Sequence, residues 1–370
     1  MPQPNTHFLV IKDSMSESTP DLWAKYNNFA GFGSFGPDLF YLLGVPHVPG
    51  LKRKYSGNYS TVSDVLHWEA SLDFFCEMMD YIKNAEDDAK RDKLKAFAYG
   101  YYSHVVADAV IHPFVYMATQ DHWRDHPTTQ FNRHKRLEAV IDGYLLGKRN
   151  SNPFVFEYES KVECHRQDSG RTLDEDVFIM MEMSLRKTYE GILDNFGIDF
   201  KEYFTQHEGS PNHPLLDAYR DYISSFRILY TIMRNVRIPQ RLSVLVPISI
   251  LNVEQLHLLE PEPRKQWHEN DDIRAPSYNV QELFDLSVAA MREVIGSSEM
   301  FFASRYSDSR QFFRENAANV AYLDVNYNLD TGIPSSANKQ LIGMATLAEV
   351  FRFSAPMLKE KYSVLESLVR

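Results

Sequence analysis

Three side chains that can hold protons or metal ions follow one another at intervals of four residues in an otherwise apolar segment. In SHVVADAVIHP these are His104, Asp108 and His112. Because an α-helix turns by about 100° per residue, a step of four places all three in one narrow stripe on a helix face. The intervening residues are apolar, so the helix is predicted to be buried. A buried imidazole or carboxylate without a partner costs several kcal/mol, and the stripe therefore predicts a specific partner.

A second segment repeats the same spacing. In RHKRLEAVIDGYLL, His134, Glu138 and Asp142 lie four residues apart beside apolar residues. Polar stripes on consecutive helices can face each other, and imidazole with carboxylate is a ligand set for a zinc-like ion in a helical bundle. Metal binding is one interpretation. The other is a structural network in which His and Asp side chains hydrogen-bond to each other and to neighbouring helices.

Further polar positions could extend the site. Asp38 lies in GFGSFGPDLFYLL, where glycines and a proline predict a tight turn, although alone it would be an ordinary helix start. His67 lies in DVLHWEASLDFF, where a single histidine is more typical of a hydrogen-bonded core residue. Asp142 is expected to orient a ligating imidazole, or to be an ordinary capped or exposed helix residue. His122 and His126, in DHWRDHPTTQ, are off both stripes and are expected at the surface or the pocket rim.

Composition limits the classes of protein to which the chain can belong. With 370 residues, 44% of them hydrophobic, it can bury a large core. The formal net charge of -11 argues against a sequence-independent nucleic-acid surface, so no double-stranded nucleic acid is expected as a partner. Cys76 and Cys164 form no C-x-x-C pair, which argues against a disulfide framework or a thiolate metal site. The apolar run at residues 8–11 is too short for a signal peptide, and no transmembrane segment is evident, so a cytoplasmic protein is expected.

Helical patterns dominate the chain. One helix is predicted to be capped by Ser63 and Asp64 and to run through VLHWEASLDFFCEMMDYIKNA. A second is predicted to run from EDDAKRDKLKAF to Pro113. A third is predicted to cover RHKRLEAVIDGYLL and to stop at Gly147. Others are predicted in VFIMMEMSLRKTYEGIL, LLDAYRDYISSFRILYTIMRNV and VQELFDLSVAAMREVI, and residues 150–178 are expected to be irregular. Only FLVIKD and AYLDVNYNLD alternate weakly like strands. The sequence predicts an all-α, multi-helix domain over residues 1–300, with residues 301–370 as a C-terminal helical extension packed on it.

Four segments, in order, carry a resemblance to a known family. GSFGPDLFYLL, HWEASLDFF, FAYGYYSHVVADAVIHPFV and RHKRLEAVIDGYLL resemble the ordered signature of the bacterial zinc-dependent phospholipase C family, whose trinuclear-zinc, all-helical fold is shared by a group of single-strand nucleases. The similarity covers at least residues 5–146, and ILNVEQL, QWHENDD and YNVQELFDLSVAAM look like later helices of the family. The resemblance implies a phospholipase C/nuclease-like bundle with a metal cluster between its helices.

The resemblance also implies how two or three Zn²⁺ ions would be held. Asp38, His67, His104 and Asp108 would complete one site, Asp108 would bridge to a second ion held by His7, and His112, His134 and Glu138 would hold the third. In the family the N-terminal residue supplies backbone ligands to one zinc. This chain departs from that pattern, because neither a signal peptide nor an N-terminal Trp is evident.

The implied chemistry is hydrolysis of a phosphate ester. Divalent ions clamp a phosphate, neutralise charge on its oxygens and lower the pKa of bound water to about 7. Asp38 could accept the proton of the attacking water. The substrate could be a lipid headgroup, a nucleotide or a small molecule, and no oligomeric state is predicted. Two other interpretations stay open: a non-catalytic helical scaffold that serves as an interaction protein, and an iron or manganese enzyme that uses the same stripes.

Overall fold

The molecule is built mainly of helices, which confirms the all-α prediction. The computed structural model describes residues 4–42, 59–119, 128–149, 173–200, 215, 216, 219, 278–317, 320–342 and 347–369. Its helices are α1 Pro4–Ser18, α2 Pro20–Gly33, α3 Tyr59–Trp68, α4 Ser71–Lys83, α5 Asp88–Thr119, α6 Thr128–Lys148, α7 Glu175–Asp194, α8 Val280–Ala303, α9 Ser309–Asn316, α10 Asn338–Ile342 and α11 Leu347–Val369. Short 3₁₀ helices cover Gly36–Leu42 and Ser335–Ala337, and the strands are β1 Tyr327–Asn328 and β2 Ile333–Pro334. Among the described helices, none is both long and apolar enough to cross a membrane.

Helix α5 is surrounded by other helices, since it packs against α1, α2, α4, α6, α7 and α8. Val105, Val106 and Ala107 are completely buried, as the apolar sequence predicts for such a helix. The helix continues through Pro113 to Thr119, although we expected it to end at the proline. A proline inside a helix costs about 3 kcal/mol or more, and the packing of the buried turn that follows outweighs this cost.

Two glycines allow α2 and the turn that follows it to pack closely against α5. A Cβ atom at Gly100 would overlap the carbonyl group of Ala30, so only glycine allows α2 and α5 to approach this closely. Gly36 has a φ of +50°, and a Cβ atom there would lie 2.7 Å from the Cβ atom of His104. These contacts place the 3₁₀ helix that carries Asp38 directly beside α5.

The single helix predicted over residues 65–85 is divided into α3 and α4. Ala70 separates them with a left-handed φ of 55°. The side chain of Asn326 stabilises the break, because its Oδ1 accepts hydrogen bonds from the amides of Leu72 and Asp73 at 2.9 and 3.0 Å. Since this cap lies 254 residues from Leu72 in the chain, the local pattern predicted an uninterrupted helix.

One of the two expected strands is a helix. FLVIKD lies within α1, where residues 8–11 are all buried. A fully buried run has no period that distinguishes a strand from a helix, which explains the wrong prediction. AYLDVNYNLD does contain β1, which pairs with β2 in an antiparallel hairpin, Tyr327 opposite Pro334 and Asn328 opposite Ile333.

Some sequence predictions fall outside the described residues. They concern His122, His126, ILNVEQL, QWHENDD and most of LLDAYRDYISSFRILYTIMRNV. Of the segment 150–178, only residues from 173 onward are described, and α7 begins within it. There the Asp174 carboxylate accepts hydrogen bonds from the amides of Asp176 and Val177. The division at residue 300 stays a prediction, and α8 is continuous across it.

Candidate metal centre

The stripe on α5 lies inside a cluster of buried ionisable side chains. His104, Asp108 and His112 are 0%, 1% and 4% exposed. The other members come from four different elements: His7 from α1, Asp38 from the first 3₁₀ helix, His67 from α3, and His134 and Glu138 from α6. The structure thus brings together all eight side chains that the sequence singled out as metal ligands.

One group consists of Asp38, His67 and His104, whose nearest nitrogen and oxygen atoms lie within 4.8 Å of one another. Nε2 of His67 is 3.3 Å from Oδ1 of Asp38 and 3.6 Å from Oδ2 of Asp108. Nε2 of His104 is 3.0 Å from the same Asp108 oxygen. Imidazole nitrogens and carboxylate oxygens therefore converge on one small volume.

A second group lies on the other oxygen of Asp108. Nε2 of His7 is 3.3 Å from Oδ1 of Asp108. The ring of His7 stacks on that of His104, with centroids 3.9 Å apart and planes 10° apart. Asp108 thus presents Oδ2 to the first group and Oδ1 to the second, as a bridging carboxylate would.

The third group joins α5 to α6. Oε1 of Glu138 is 2.7 Å from Nε2 of His134 and 3.3 Å from Nε2 of His112. Nε2 of His112 is also 3.6 Å from Oδ1 of Asp108. The two stripes therefore meet through His134, Glu138 and His112, as their spacing predicted.

Backbone carbonyl groups orient two of the imidazoles. Nδ1 of His67 lies 2.7 Å from the carbonyl oxygen of Ser63, and Nδ1 of His104 lies 3.0 Å from that of Ser34. A carbonyl oxygen only accepts, so Nδ1 carries the hydrogen and donates it. In the neutral ring, Nε2 then keeps its lone pair toward the carboxylates. Lone pairs that face carboxylate oxygens require a cation or a proton between them.

Several atoms of the cluster are buried without a well-formed hydrogen bond in the described part of the chain. They include Nε2 of His7, His104 and His112 and Oδ2 of Asp108. Such atoms cost about 1–3 kcal/mol each when nothing satisfies them. Imidazole nitrogen with carboxylate oxygen is a donor set that zinc accepts, so these residues fit a metal cluster.

Burial and neighbouring charges shift the pKa values of the cluster in different directions. Burial, with repulsion from His104, lowers the pKa of His7 to about 3. Burial opposes charge on His67 and His112, but Asp38 raises the pKa of His67 to about 9, and Asp108 with Glu138 raises the pKa of His112 to about 10. Burial alone would raise the pKa of Asp108, but the imidazoles, His112 foremost, hold it well below its usual range. The cluster therefore stabilises positive charge among its carboxylates.

Helix α3 positions Asp38 as well as His67. The Asp38 amide donates to the carbonyl oxygen of Phe35 at 3.1 Å. The Ser63 hydroxyl donates to the carbonyl oxygen of Pro37 at 2.6 Å, one helical turn before His67. The expected capping role of Ser63 is wrong, because α3 already begins at Tyr59. Ser63 instead joins α3 to the turn that carries Asp38.

Asp142 holds the beginning of α1. Its carboxylate is completely buried and accepts hydrogen bonds from the Asn5 amide at 3.1 Å, the Thr6 amide at 2.8 Å and the Thr6 hydroxyl at 2.5 Å. These bonds satisfy backbone amides that the first turn of a helix leaves without partners. In the described residues its hydrogen bonds go to α1 and not to an imidazole, so the expected orienting role is wrong. Asp142 instead anchors the residues just before His7.

Asp330, between β1 and β2, also lies at the cluster. Nε1 of Trp68 donates to its Oδ2 at 2.8 Å, and its Oδ1 lies 3.7 Å from Nδ1 of His112. The segment NLDTGIP has the composition of a turn. That signal predicts a loop and says nothing about a site, so sequence reasoning missed Asp330.

A family model described as zinc dependent phospholipase C matches residues 6–190, half of the chain. The chain belongs to this family. The resemblance carried by the four sequence segments is thereby confirmed, and all eight clustered side chains lie within the matched residues. Membership supports phospholipase C-like activity and zinc dependence at the level of the family. No curated protein and no solved structure matched the chain.

Proposed function

We propose that the protein hydrolyses a phosphate ester with two or three zinc ions bound by the clustered side chains. One observation carries the proposal. Eight buried His, Asp and Glu side chains from five elements converge so that imidazole nitrogens face carboxylate oxygens. Because Nδ1 of His67 and of His104 donates to a backbone carbonyl, Nε2 of each ring can face the carboxylates only with a cation or a second proton between them, and this supports bound cations.

We propose that each of the three groups can hold one ion. Asp38, His67, His104 and Asp108 would hold one ion, His7 and Asp108 a second, and His112, His134 and Glu138 a third. His104 also lies within reach of the second group. Asp108 is proposed to bridge because its two oxygens face different groups.

Neighbouring backbone groups would hold the metal-ligating side chains in place before the substrate binds. Zinc bound there would neutralise phosphate charge and lower the pKa of water to about 7. The Nδ1 contacts of His67 and His104 with backbone carbonyls fix two rings in advance. We propose that Asp38 accepts the proton of the attacking water, because its Oδ1 faces the cluster, 3.3 Å from Nε2 of His67.

The proposed substrate class is a phosphoester, supplied as a lipid headgroup, a nucleotide or a small molecule. The chain has a formal net charge of -11, so an anionic substrate needs local positive charge. The ions proposed at the cluster would supply that charge. The cytoplasmic location, and the absence of a double-stranded nucleic acid partner, stay predictions.

Metal content and hydrolysis measured on the same samples test the proposal. The protein is stripped with a chelator and reloaded with zinc. It is then assayed with p-nitrophenyl phosphate, p-nitrophenyl phosphorylcholine and a single-stranded oligonucleotide. We expect two or three zinc ions per chain, with hydrolysis of at least one probe lost on stripping and regained on reloading.

Two outcomes would favour the other interpretations. Fully loaded protein that hydrolyses none of the probes would support a non-catalytic scaffold. Activity restored by iron or manganese, but not by zinc, would support a different metal enzyme.

A further inference from the structure

The hairpin at residues 327–334 is attached to the end of α3, next to His67. The Leu329 amide donates to the His67 carbonyl oxygen at 2.8 Å. The Trp68 carbonyl oxygen accepts from the Ser335 hydroxyl at 2.8 Å and from Nδ2 of Asn338 at 2.9 Å. The last carbonyl groups of a helix have no partners within the helix. Residues more than two hundred positions away thus fix the turn of α3 that carries His67.

The same hairpin is held against α5, close to His112. Gly332 approaches so closely that a Cβ atom there would overlap the Ala109 carbonyl oxygen. Helix α11 holds it there, since Nζ of Lys361 donates to the Gly332 carbonyl oxygen at 3.1 Å. The Tyr362 hydroxyl donates to the Val110 carbonyl oxygen at 2.5 Å. The hairpin is therefore fixed to α3, which carries His67, and to α5, which carries His112.

Within this hairpin the carboxylate of Asp330 has a defined orientation. Asn328 Oδ1 accepts from the Asp330 amide at 3.1 Å, which holds the backbone of the turn. Nε1 of Trp68 donates to Oδ2 at 2.8 Å, and burial together with the nearby Asp330 carboxylate holds the pKa of the Tyr116 hydroxyl well above its usual range. Oδ1 of Asp330 then lies 3.7 Å from Nδ1 of His112.

Nδ1 of His112 differs from the same atom in His67 and His104. Those two donate to backbone carbonyls, whereas Nδ1 of His112 is buried and makes no hydrogen bond within the described residues. A movement of less than about 1 Å would bring Asp330 Oδ1 to hydrogen-bond distance. A carboxylate on the outer nitrogen of a ligating imidazole fixes its tautomer and raises its basicity.

We propose that Asp330 is a positioning residue of the metal centre, which holds the His112 imidazole through Nδ1 while Nε2 faces Glu138. The inference rests on the proposed zinc site. Asp330 lies outside residues 6–190, so a part of the chain that the family match does not cover would complete the site. The C-terminal residues would then contribute to metal affinity as well as to packing.

The test compares zinc affinity in full-length variants by competition with a chromophoric chelator. Asp330→Asn keeps an oxygen for Trp68 and removes the negative charge. We expect one ion to be bound about 10- to 100-fold more weakly, as is typical when such a partner is lost, with the other ions unaffected. The visible spectrum of the cobalt-substituted variant should change as well, which a purely structural effect on stability would not produce.

Asp324→Asn is the matched control. Asp324 is an exposed carboxylate in the same segment, contacts the Tyr327 hydroxyl at 3.1 Å and belongs to none of the candidate metal groups. This variant should bind zinc as the wild type does. If Asp330→Asn fails to fold, Trp68→Phe replaces it. This substitution removes the Nε1 donor that holds the Asp330 carboxylate. It should lower the affinity for the same ion, but by a smaller factor than Asp330→Asn.

The outcomes separate this inference from the proposed function. A wild type that binds no zinc overturns both. A zinc-loaded wild type whose affinity and cobalt spectrum are unchanged in Asp330→Asn overturns the inference alone, even if the variant melts at a lower temperature. Unchanged affinity in Trp68→Phe has the same meaning when that variant is the one tested.

Discussion

Asp108 has imidazole nitrogens around both of its oxygens. Those of His104 and His67 lie 3.0 and 3.6 Å from Oδ2, and those of His7 and His112 lie 3.3 and 3.6 Å from Oδ1. The rings of His67 and His104 already use Nδ1 for backbone carbonyls, so their Nε2 atoms can face the carboxylate only with a proton or a cation between them. The negative charge of Asp108 is therefore more important to the proposed cluster than its shape.

Replacing Asp108 by Asn keeps the shape and removes the charge. We expect the zinc content to fall by at least one ion per chain. Hydrolysis should fall with it, by more than the roughly 10- to 100-fold that loss of an outer partner costs. Elemental analysis and the rate on the best phosphoester probe measure the two effects. Full zinc retention would show that Asp108 is not a zinc ligand, whereas lower stability with no zinc bound to either protein would support the structural-network interpretation.

Asp80→Asn is a suitable control for this variant. Its carboxylate is partly buried and accepts a hydrogen bond from the Ser309 amide at 2.8 Å, and it belongs to none of the three groups of the cluster. Burial raises the pKa of Asp80, so it shares a low-polarity setting with Asp108. It should lose some stability and retain all of its zinc.

The sequence could predict a residue's helix face but not the neighbour on that face. The four-residue spacing of His104 and Asp108, and of His134 and Glu138, was enough to predict facing stripes. Asp142 has the same spacing, yet its partners lie on α1, because each turn along a helix meets a different neighbour. The placing of Asp38 and His7 came from the family resemblance, since no spacing links them to α5.

At the scale of elements, Asp142 joins α6 to the first turn of α1. Asp142→Ala would leave the amides of Asn5 and Thr6 buried without their acceptor. We expect the free energy of unfolding to fall by at least about 2 kcal/mol, measured by urea denaturation of zinc-free protein. Asp13→Ala removes a partly exposed ion pair at 2.7 Å between α1 and Arg149, the residue that follows α6, and should cost less than about 1 kcal/mol. Equal losses in the two variants would contradict the anchoring role of Asp142.

The crossing of α2 and α5 gives a second test at this scale. Gly100→Ala would force the new methyl group against Ala30, and the overpacking should cost about 1–3 kcal/mol. Gly191 lies in α7, and a Cβ atom there would meet nothing within 4 Å. Gly191→Ala should therefore stabilise the protein by about 0.5–1 kcal/mol, because alanine is the better helix former. Urea denaturation measures both, and a gain in both variants would show that the helices do not touch at Gly100.

The helices themselves were mostly predictable, whereas their ends and interruptions were not. Apolar periodicity is a local property, so α5, α6, α7 and α8 could be found from it. The break at Ala70 depends on Asn326 and the continuation through Pro113 on packing, and both involve distant parts of the chain. The position of the hairpin that carries Asp330 could not be predicted for the same reason, since its contacts with α3 and α5, distant in the chain, bring it to the cluster.

At the scale of the whole molecule, the cluster connects elements that are far apart in the chain. Its side chains come from α1, the first 3₁₀ helix, α3, α5 and α6, and the hairpin beside it is attached through α11. Without bound cations, the carboxylates and the buried unsatisfied nitrogens oppose the packing of these elements. Zinc at the cluster should therefore stabilise the fold as a whole and not only the site.

Zinc removal tests this expectation directly. Each ion that binds only the folded chain stabilises it by about 2.7 kcal/mol at a free concentration 100 times its Kd. With two or three ions, the zinc-loaded protein should have a Tm well above that of chelated protein, and the Tm should rise with free zinc until the sites are full. Asp108→Asn should show a smaller rise, because its weakened sites contribute less, whereas Asp80→Asn should show the full rise from a lower starting point. A Tm that does not depend on zinc in the wild type would mean that the cluster is stable without cations, and its lone pairs would then have to be satisfied by protons on the imidazoles.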